Sequence, residues 1–114
     1  MLTLRIYMLQ RISALIMVPL VIGHIAVMVY AIEGGLTVSE ILGRTKGSFA
    51  WFAFYGLFVI AVSIHGAIGL RVILHEIIGL KDTVLSALTW LIGLGLLLMG
   101  LNAVWSVTYS GSLP

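Results

Sequence analysis

Two histidines stand inside long apolar runs of this 114-residue chain, His24 in the first run and His65 in the second. An ionisable side chain at such depth in a membrane is costly, so each imidazole needs a partner. A lone histidine could donate to a carbonyl or hydroxyl on a neighbouring helix and merely fix packing. Two on adjacent segments weigh towards ligation. Imidazole is a usual axial ligand of haem iron, and a non-covalent b-type haem needs one His from each of two facing helices. Ala61 and Gly69 lie one turn before and after His65, and Gly66 adjoins it, which leaves a slot for a flat macrocycle. The same small residues also suit close helix packing, and Gly93 with Gly100 are assigned wholly to that role. His24 has bulkier face neighbours, Leu20 and Met28.

A basic cluster accompanies the histidines. Arg11 opens the first run, Arg71 closes the second, and His75 follows one turn later. Forked guanidinium donors match carboxylates such as haem propionates, although both arginines would equally serve as charged anchors at the membrane surface. Arg11 and Ser13 also offer donors to a quinone carbonyl at that surface, and Tyr7, His75 and Glu76 complete the polar groups on that side. Helix rise puts His24 roughly 20 Å beyond Arg11 and His65 roughly 9 Å from Arg71. The two histidines are then too far apart in depth to grip one iron. Each is expected to meet a histidine of a partner subunit, giving two haems b shared with that partner, or one haem if His24 is structural.

The elements that position these residues are expected to be three membrane-spanning helices over about 12–32, 49–70 and 84–107, a single transmembrane domain 1–114. None of the three runs contains Lys, Arg, Asp or Glu. Each exceeds the roughly 20 residues that a bilayer requires, and in hydrocarbon a helix satisfies every backbone amide within its own segment. Glu33-Gly34-Gly35 should end the first helix, Asp82 or Thr83 should cap the third, and Pro19 should locally free a carbonyl. The stretches 33–48 and 71–83 read as linkers, with Glu33, Glu40, Arg44 and Lys46 solvated. Arg5, Arg11, Arg71 and Lys81 on one side, against Arg44 and Lys46 on the other, place the amino terminus in the cytoplasm. Trp51, Trp105 and Tyr109 then fall at the outer interface.

Composition excludes several classes. With 61% hydrophobic and 9% charged residues and a mean hydropathy of +1.22, the chain lacks the surface of a soluble enzyme. A net charge of +2 is too sparse for nucleic-acid binding, and the absence of Cys removes thiolate metal sites and iron–sulfur clusters. No residue set here could hold flavin or activate a dicarboxylate.

Leu9-Gln10-Arg11-Ile12-Ser13, Ile22-Gly23-His24 and Ser63-Ile64-His65-Gly66-Ala67-Ile68-Gly69-Leu70-Arg71 together resemble the membrane-anchor cytochrome b subunits of succinate dehydrogenase and quinol:fumarate reductase (complex II). The family pattern His-x-x-x-Gly-x-Arg, with an acidic residue eleven after the His, is met by His65, Gly69, Arg71 and Glu76. The resemblance implies an all-α half of a heterodimeric anchor, paired with a second three-helix anchor. Together they dock an iron–sulfur subunit and a flavoprotein subunit on the cytoplasmic face and exchange electrons with quinone. It implies haem iron ligation by His65 and, as in di-haem members, His24, with Arg11 and Arg71 near propionates or quinone. Tyr7 stands where some relatives have a quinone-contacting Ser. Gln10 replaces a His common in one branch, Ile77 follows Glu76 where the companion anchor often has Tyr, and Ser63 replaces a Glu of some di-haem members. The expected location is a prokaryotic cytoplasmic membrane rather than the mitochondrial inner membrane. The rival readings are the cytochrome b of another membrane oxidoreductase and a helical assembly subunit without haem.

Overall fold

A computed structural model describes residues 4–109, and every regular element among them is helical. Helix α1 spans Leu4–Gly34, α2 Val38–Thr45, α3 Phe49–Ile73 and α4 Asp82–Thr108. Three of the helical stretches are long and apolar enough to cross a bilayer. α1 begins at Leu4 rather than near residue 12 because a helix need not stop where hydrocarbon stops. Nothing between Leu4 and Arg11 breaks it, and Arg5 and Arg11 can reach the headgroup layer along their aliphatic stems. The helix runs unbroken through Pro19, whose missing N–H leaves the Leu15 carbonyl without its usual donor.

The stop at Glu33-Gly34-Gly35 is where the sequence put it. Gly35 takes φ +112°, and a Cβ there would run into the Glu40 carboxylate. Arg44 Nη2 donates to the Gly35 carbonyl at 2.8 Å and closes the corner. The stretch 33–48 is more than a linker, since it contains α2. Thr37 and Glu40 form a capping box: Thr37 Oγ1 accepts from the Glu40 amide at 3.2 Å, and Glu40 Oε1 accepts from the Thr37 amide at 3.3 Å. Thr45 is buried at the far end of α2, and its hydroxyl donates to the Val107 carbonyl at 2.6 Å, tying α2 to the end of α4.

α3 is capped by Ser48, whose hydroxyl accepts from the Trp51 amide at 3.3 Å. It does not end near residue 70. A π-helical turn over Leu74–Ile78 prolongs it, and Gly79, at φ +77°, closes that turn with its N–H 3.1 Å from the carbonyls of Leu74 and His75. α4 has Lys81 at its N-cap, with no side-chain capping bond. Asp82 and Thr83 are already helical, and the Asp82 carboxylate complements the helix dipole from the first turn instead of capping it.

The long helices form a row. α3 lies in the middle, packed against α1 on one side and α4 on the other, and α1 hardly meets α4. Small residues set the spacing. A Cβ on Gly93 would lie 3.3 Å from Ala67 Cβ, and one on Gly100 would collide with the Val59 side chain, so the packing role expected of this pair is what the structure has. Against α1, Gly69 faces Gln10 and Gly23 faces Phe54. The core is thin: Leu20, Ala61, Ala67, Ile68, Leu85 and Val104 are its buried apolar residues. Most of the apolar surface is left for lipid or other protein.

Aromatic rings gather where α1 ends, α3 starts and α4 ends. Trp51 stacks on Tyr55 at 5.6 Å, Phe52 meets Tyr109 at 5.3 Å, Trp105 meets Tyr109 at 5.7 Å, and Arg44 lies 5.7 Å over Tyr30. Trp51, Trp105 and Tyr109 thus share one end, as the membrane-interface reading requires.

Candidate functional site

His65 lies where α3 turns its flank to α1. It lines a groove of about 430 Å³ with Gln10, Arg11, Ala14 and Val18, and an adjoining one of about 350 Å³ with Met17, Val21 and Ile22. Those volumes fall within the range of ordinary ligand clefts. His65 Nδ1 is buried without a hydrogen-bond partner. The ring is therefore not secured through Nδ1 to a neighbouring carbonyl or hydroxyl, as a purely packing histidine would be. A buried imidazole nitrogen left unpaired costs free energy until something completes it.

The rim of the groove is cationic and aromatic. Arg11 lines it, and the guanidinium carbon lies 5.8 Å from the centroid of the Tyr7 ring. Gln10, which the sequence reading noted only as a departure from the family, belongs to the same groove. Its Oε1 is buried and unpartnered. The signal was present in the spacing: positions 10, 14 and 18 share one helix face, with small Ala14 between two longer side chains.

The remaining polar candidates lie elsewhere. Ser13 is buried, donates to the Gln10 carbonyl at 3.0 Å and lines a separate small cavity with Leu57, Ala61 and Ile64. Arg71 reaches α4, where Nη1 donates to Ser86 Oγ at 3.2 Å, and its Nε is buried without a partner. His75 and Glu76 are exposed on the π-helical turn, with His75 Nδ1 3.3 Å from the Leu80 carbonyl. The structure thus brings Gln10 and Arg11 to His65, with Tyr7 beside Arg11 but not in the lining, and leaves Ser13, Arg71, His75 and Glu76 outside the groove as well.

His24 packs against two rings of α3, edge-on to Tyr55 at 6.1 Å and tilted on Phe58 at 5.3 Å. At about 100° per residue, Tyr55, Phe58 and His65 share one side of α3, while Ile60 and Ile64 lie roughly opposite. Ile60 and Ile64 line the cavities on the other side of the row. Both histidines therefore belong to one broad face. They differ in depth: the grooves place His65 near the level of Ala14, ten residues from His24, or about 15 Å. Among the described residues no three His, Cys, Asp or Glu side chains come together. The chemistry on offer is that of single imidazoles at two levels, one of them with a cation beside it.

The family model for the succinate dehydrogenase/fumarate reductase transmembrane subunit matches residues 2–101. The chain belongs to this family. The match spans α1 to α3, most of α4 and both intramembrane histidines. Compared with curated proteins and with solved structures, the chain has no match. As a member it is a multi-pass membrane subunit of the complex II enzyme and associates with that enzyme's other subunits. The row of helices with a thin core suits such a subunit, whose broad faces need covering.

Proposed function

We propose that this chain is one of two three-helix anchors of a succinate:quinone oxidoreductase, and that it holds haem b between His65 and a histidine of the companion anchor. The observation that carries the reading is His65 itself: a lipid-depth imidazole in an open groove, with Nδ1 buried and unpaired and Arg11 at the rim. These residues fit the group. A neutral imidazole is the ligand a b-type haem takes, a groove of about 430 Å³ gives the macrocycle a wall, and the Arg11 guanidinium suits a propionate. When bound, the haem supplies one-electron redox capacity beside the quinone. His24, on the same broad face and about 15 Å further into the membrane, supplies the second level, with Tyr55 and Phe58 fixing its ring.

The protein's own part is binding and positioning. Apolar walls from Ala14, Val18 and Val21 keep water from the imidazole and lower the local dielectric. Quinone accepts two protons as well as two electrons, so its carbonyls need donors at the membrane edge. Arg11 and Gln10 in the groove lining, with Tyr7 beside Arg11, are the groups that can hold one, with Ser13, Arg71, His75 and Glu76 outside the groove at the same end. In this reading that end faces the cytoplasm of a prokaryotic cell, where the iron–sulfur and flavoprotein subunits dock and carry out the dicarboxylate chemistry.

The test uses the intact complex. Haem per complex is measured from reduced-minus-oxidised spectra for the wild type, His65→Ala and His24→Ala. His65→Ala should lose at least one haem while still inserting in the membrane, and His24→Ala should lose the other. An unchanged haem content in His65→Ala would refute ligation by this chain.

A further inference from the structure

α4 carries one carboxamide, Asn102, on its far side. The side of α4 that meets α3 is marked by Leu85, Gly93, Gly100 and Val104. At about 100° per residue, Asn102 sits roughly opposite them, beside Leu98 and Gly95. Asn102 is exposed, and no hydrogen bond of its side chain exists among the described residues. Beyond the backbone bonds of the helix itself, its carbonyl accepts from the Ser106 hydroxyl at 2.8 Å. α4 spans Asp82–Thr108, so its centre is Gly95 and Asn102 lies about 10 Å from the midplane. That is inside the hydrocarbon, whose half-thickness is about 15 Å. An amide there has no water to satisfy its donors and acceptor. The edge is also across the row from α1 and the His65 groove.

We propose that α4 forms a parallel, two-fold contact with α4 of a second copy of this chain, with Asn102 facing its own counterpart. Copies in one membrane share orientation and depth, so a residue beside a two-fold axis meets itself. A carboxamide is suited to that position because it is donor and acceptor at once. Gly95, on the same edge two turns away at the midplane, would meet nothing within the chain if it bore a Cβ, so a neighbouring helix can approach closely there. The contact is independent of haem binding, since it uses none of the residues around His65.

The chain has no cysteine, so a single introduced thiol reports on this contact. Leu98→Cys, one turn from Asn102, is oxidised in membranes holding the whole complex, with Val29→Cys, exposed on α1 away from the His65 grooves, as the comparison. Leu98→Cys should give a disulfide-linked species of two copies of this chain, well above the Val29→Cys level. Adding Asn102→Leu should lower its yield about threefold to tenfold, the range one interhelical hydrogen bond supplies in a membrane, whereas adding Asn102→Gln should preserve it. Haem content checks that each variant assembles. A Leu98→Cys yield no higher than that of Val29→Cys would overturn the proposal. A yield insensitive to Asn102→Leu in assembled complex would overturn it as well.

Discussion

Gly100→Ala should weaken the seam that holds α3, and therefore His65, against α4. A Cβ at this position would lie 3.0 Å from Val59 Cγ2 and 3.3 Å from Val59 Cβ, with Cγ1 closer still. Comfortable carbon contacts run about 3.5–4.0 Å. Val59 is β-branched and mid-helix, where one χ1 rotamer dominates, so it cannot swing aside cheaply. The helices must part instead, at a cost of about 1–3 kcal/mol. Gly93→Ala meets only Ala67 Cβ at 3.3 Å and should cost less, while Gly95→Ala meets nothing within the chain and should leave the α3–α4 seam unchanged. Val59→Ala removes both γ carbons and leaves only the Cβ contact. The double variant Val59→Ala with Gly100→Ala should therefore be more stable than the sum of the single effects implies, with a coupling of about 1–2 kcal/mol. The assay is the denaturant dependence of the detergent-solubilised complex, followed by haem absorbance and by α-helical circular dichroism. Gly100→Ala matching the wild type, or additivity in the double variant, would refute the register of α3 against α4.

The α2 capping box should be pH-sensitive. The Thr37 hydroxyl, then the Thr37 amide, hold the Glu40 carboxyl below its ordinary value of 4.5, and Arg44 adds attraction. The folded value is depressed, so the cap is intact above the unfolded value and is lost as pH falls through the folded one. The amide protection factors at residues 38–40, from which the intrinsic pH dependence of exchange is divided out, should fall below about pH 4.5 in the wild type, and in Glu40→Gln they should not respond to pH in that window. Thr45→Val deletes the donor to the Val107 carbonyl and should destabilise the corner between α2 and α4 by about 1–2 kcal/mol, read as faster exchange across Val38–Thr45. Maleimide should label Ser39→Cys from outside intact cells and Thr83→Cys only after permeabilisation; the reverse pattern would invert the membrane orientation.

Much of the fold was legible because the bilayer is a simple ruler: uncharged apolar runs located the three spans. The ruler measures hydrocarbon, not helix, which is why it clipped Leu4–Arg11 from α1 and Arg71–Ile78 from the end of α3. Both clipped pieces carry charge and continue as helix in the headgroup layer. α2 was missed for a different reason. Its eight residues are too short for a span, and Glu40 and Arg44 read as solvated charge, although Thr37-x-x-Glu40 is a capping-box signature. At the site, residue type and spacing singled out His65 and Arg11, and the structure puts both on one groove. Residue type and spacing could not reveal that Arg71 bonds to Ser86, because that depends on which side of α3 meets α4, and the hydrophobic pattern of an all-apolar helix carries no such phase information.

The unpaired atoms follow a rule that bears on function. Short hydroxyls in the spans reach back to their own helix: Ser63 to the Val59 carbonyl, Thr89 to Leu85 and Thr108 to Val104, each at 2.7 Å. Such residues need nothing from outside, and they line tight apolar seams without penalty. Longer or more rigid groups cannot fold back in this way. The buried atoms without a partner among the described residues are His65 Nδ1, Gln10 Oε1 and Arg71 Nε, all from the half of the row that holds the cationic end. Each forgoes about 1–3 kcal/mol until completed, and the Ser13 and Ser63 hydroxyls, whose protons already go to the Gln10 and Val59 carbonyls, have none left to offer. The deficit is therefore concentrated where a bound group or another subunit must arrive, and it makes the isolated chain less stable than the same chain within its complex. Purified alone, the subunit should lose helix protection first around residues 10–14 and 65–71, and restoration of the complex should recover protection there before it does so at the α3–α4 seam.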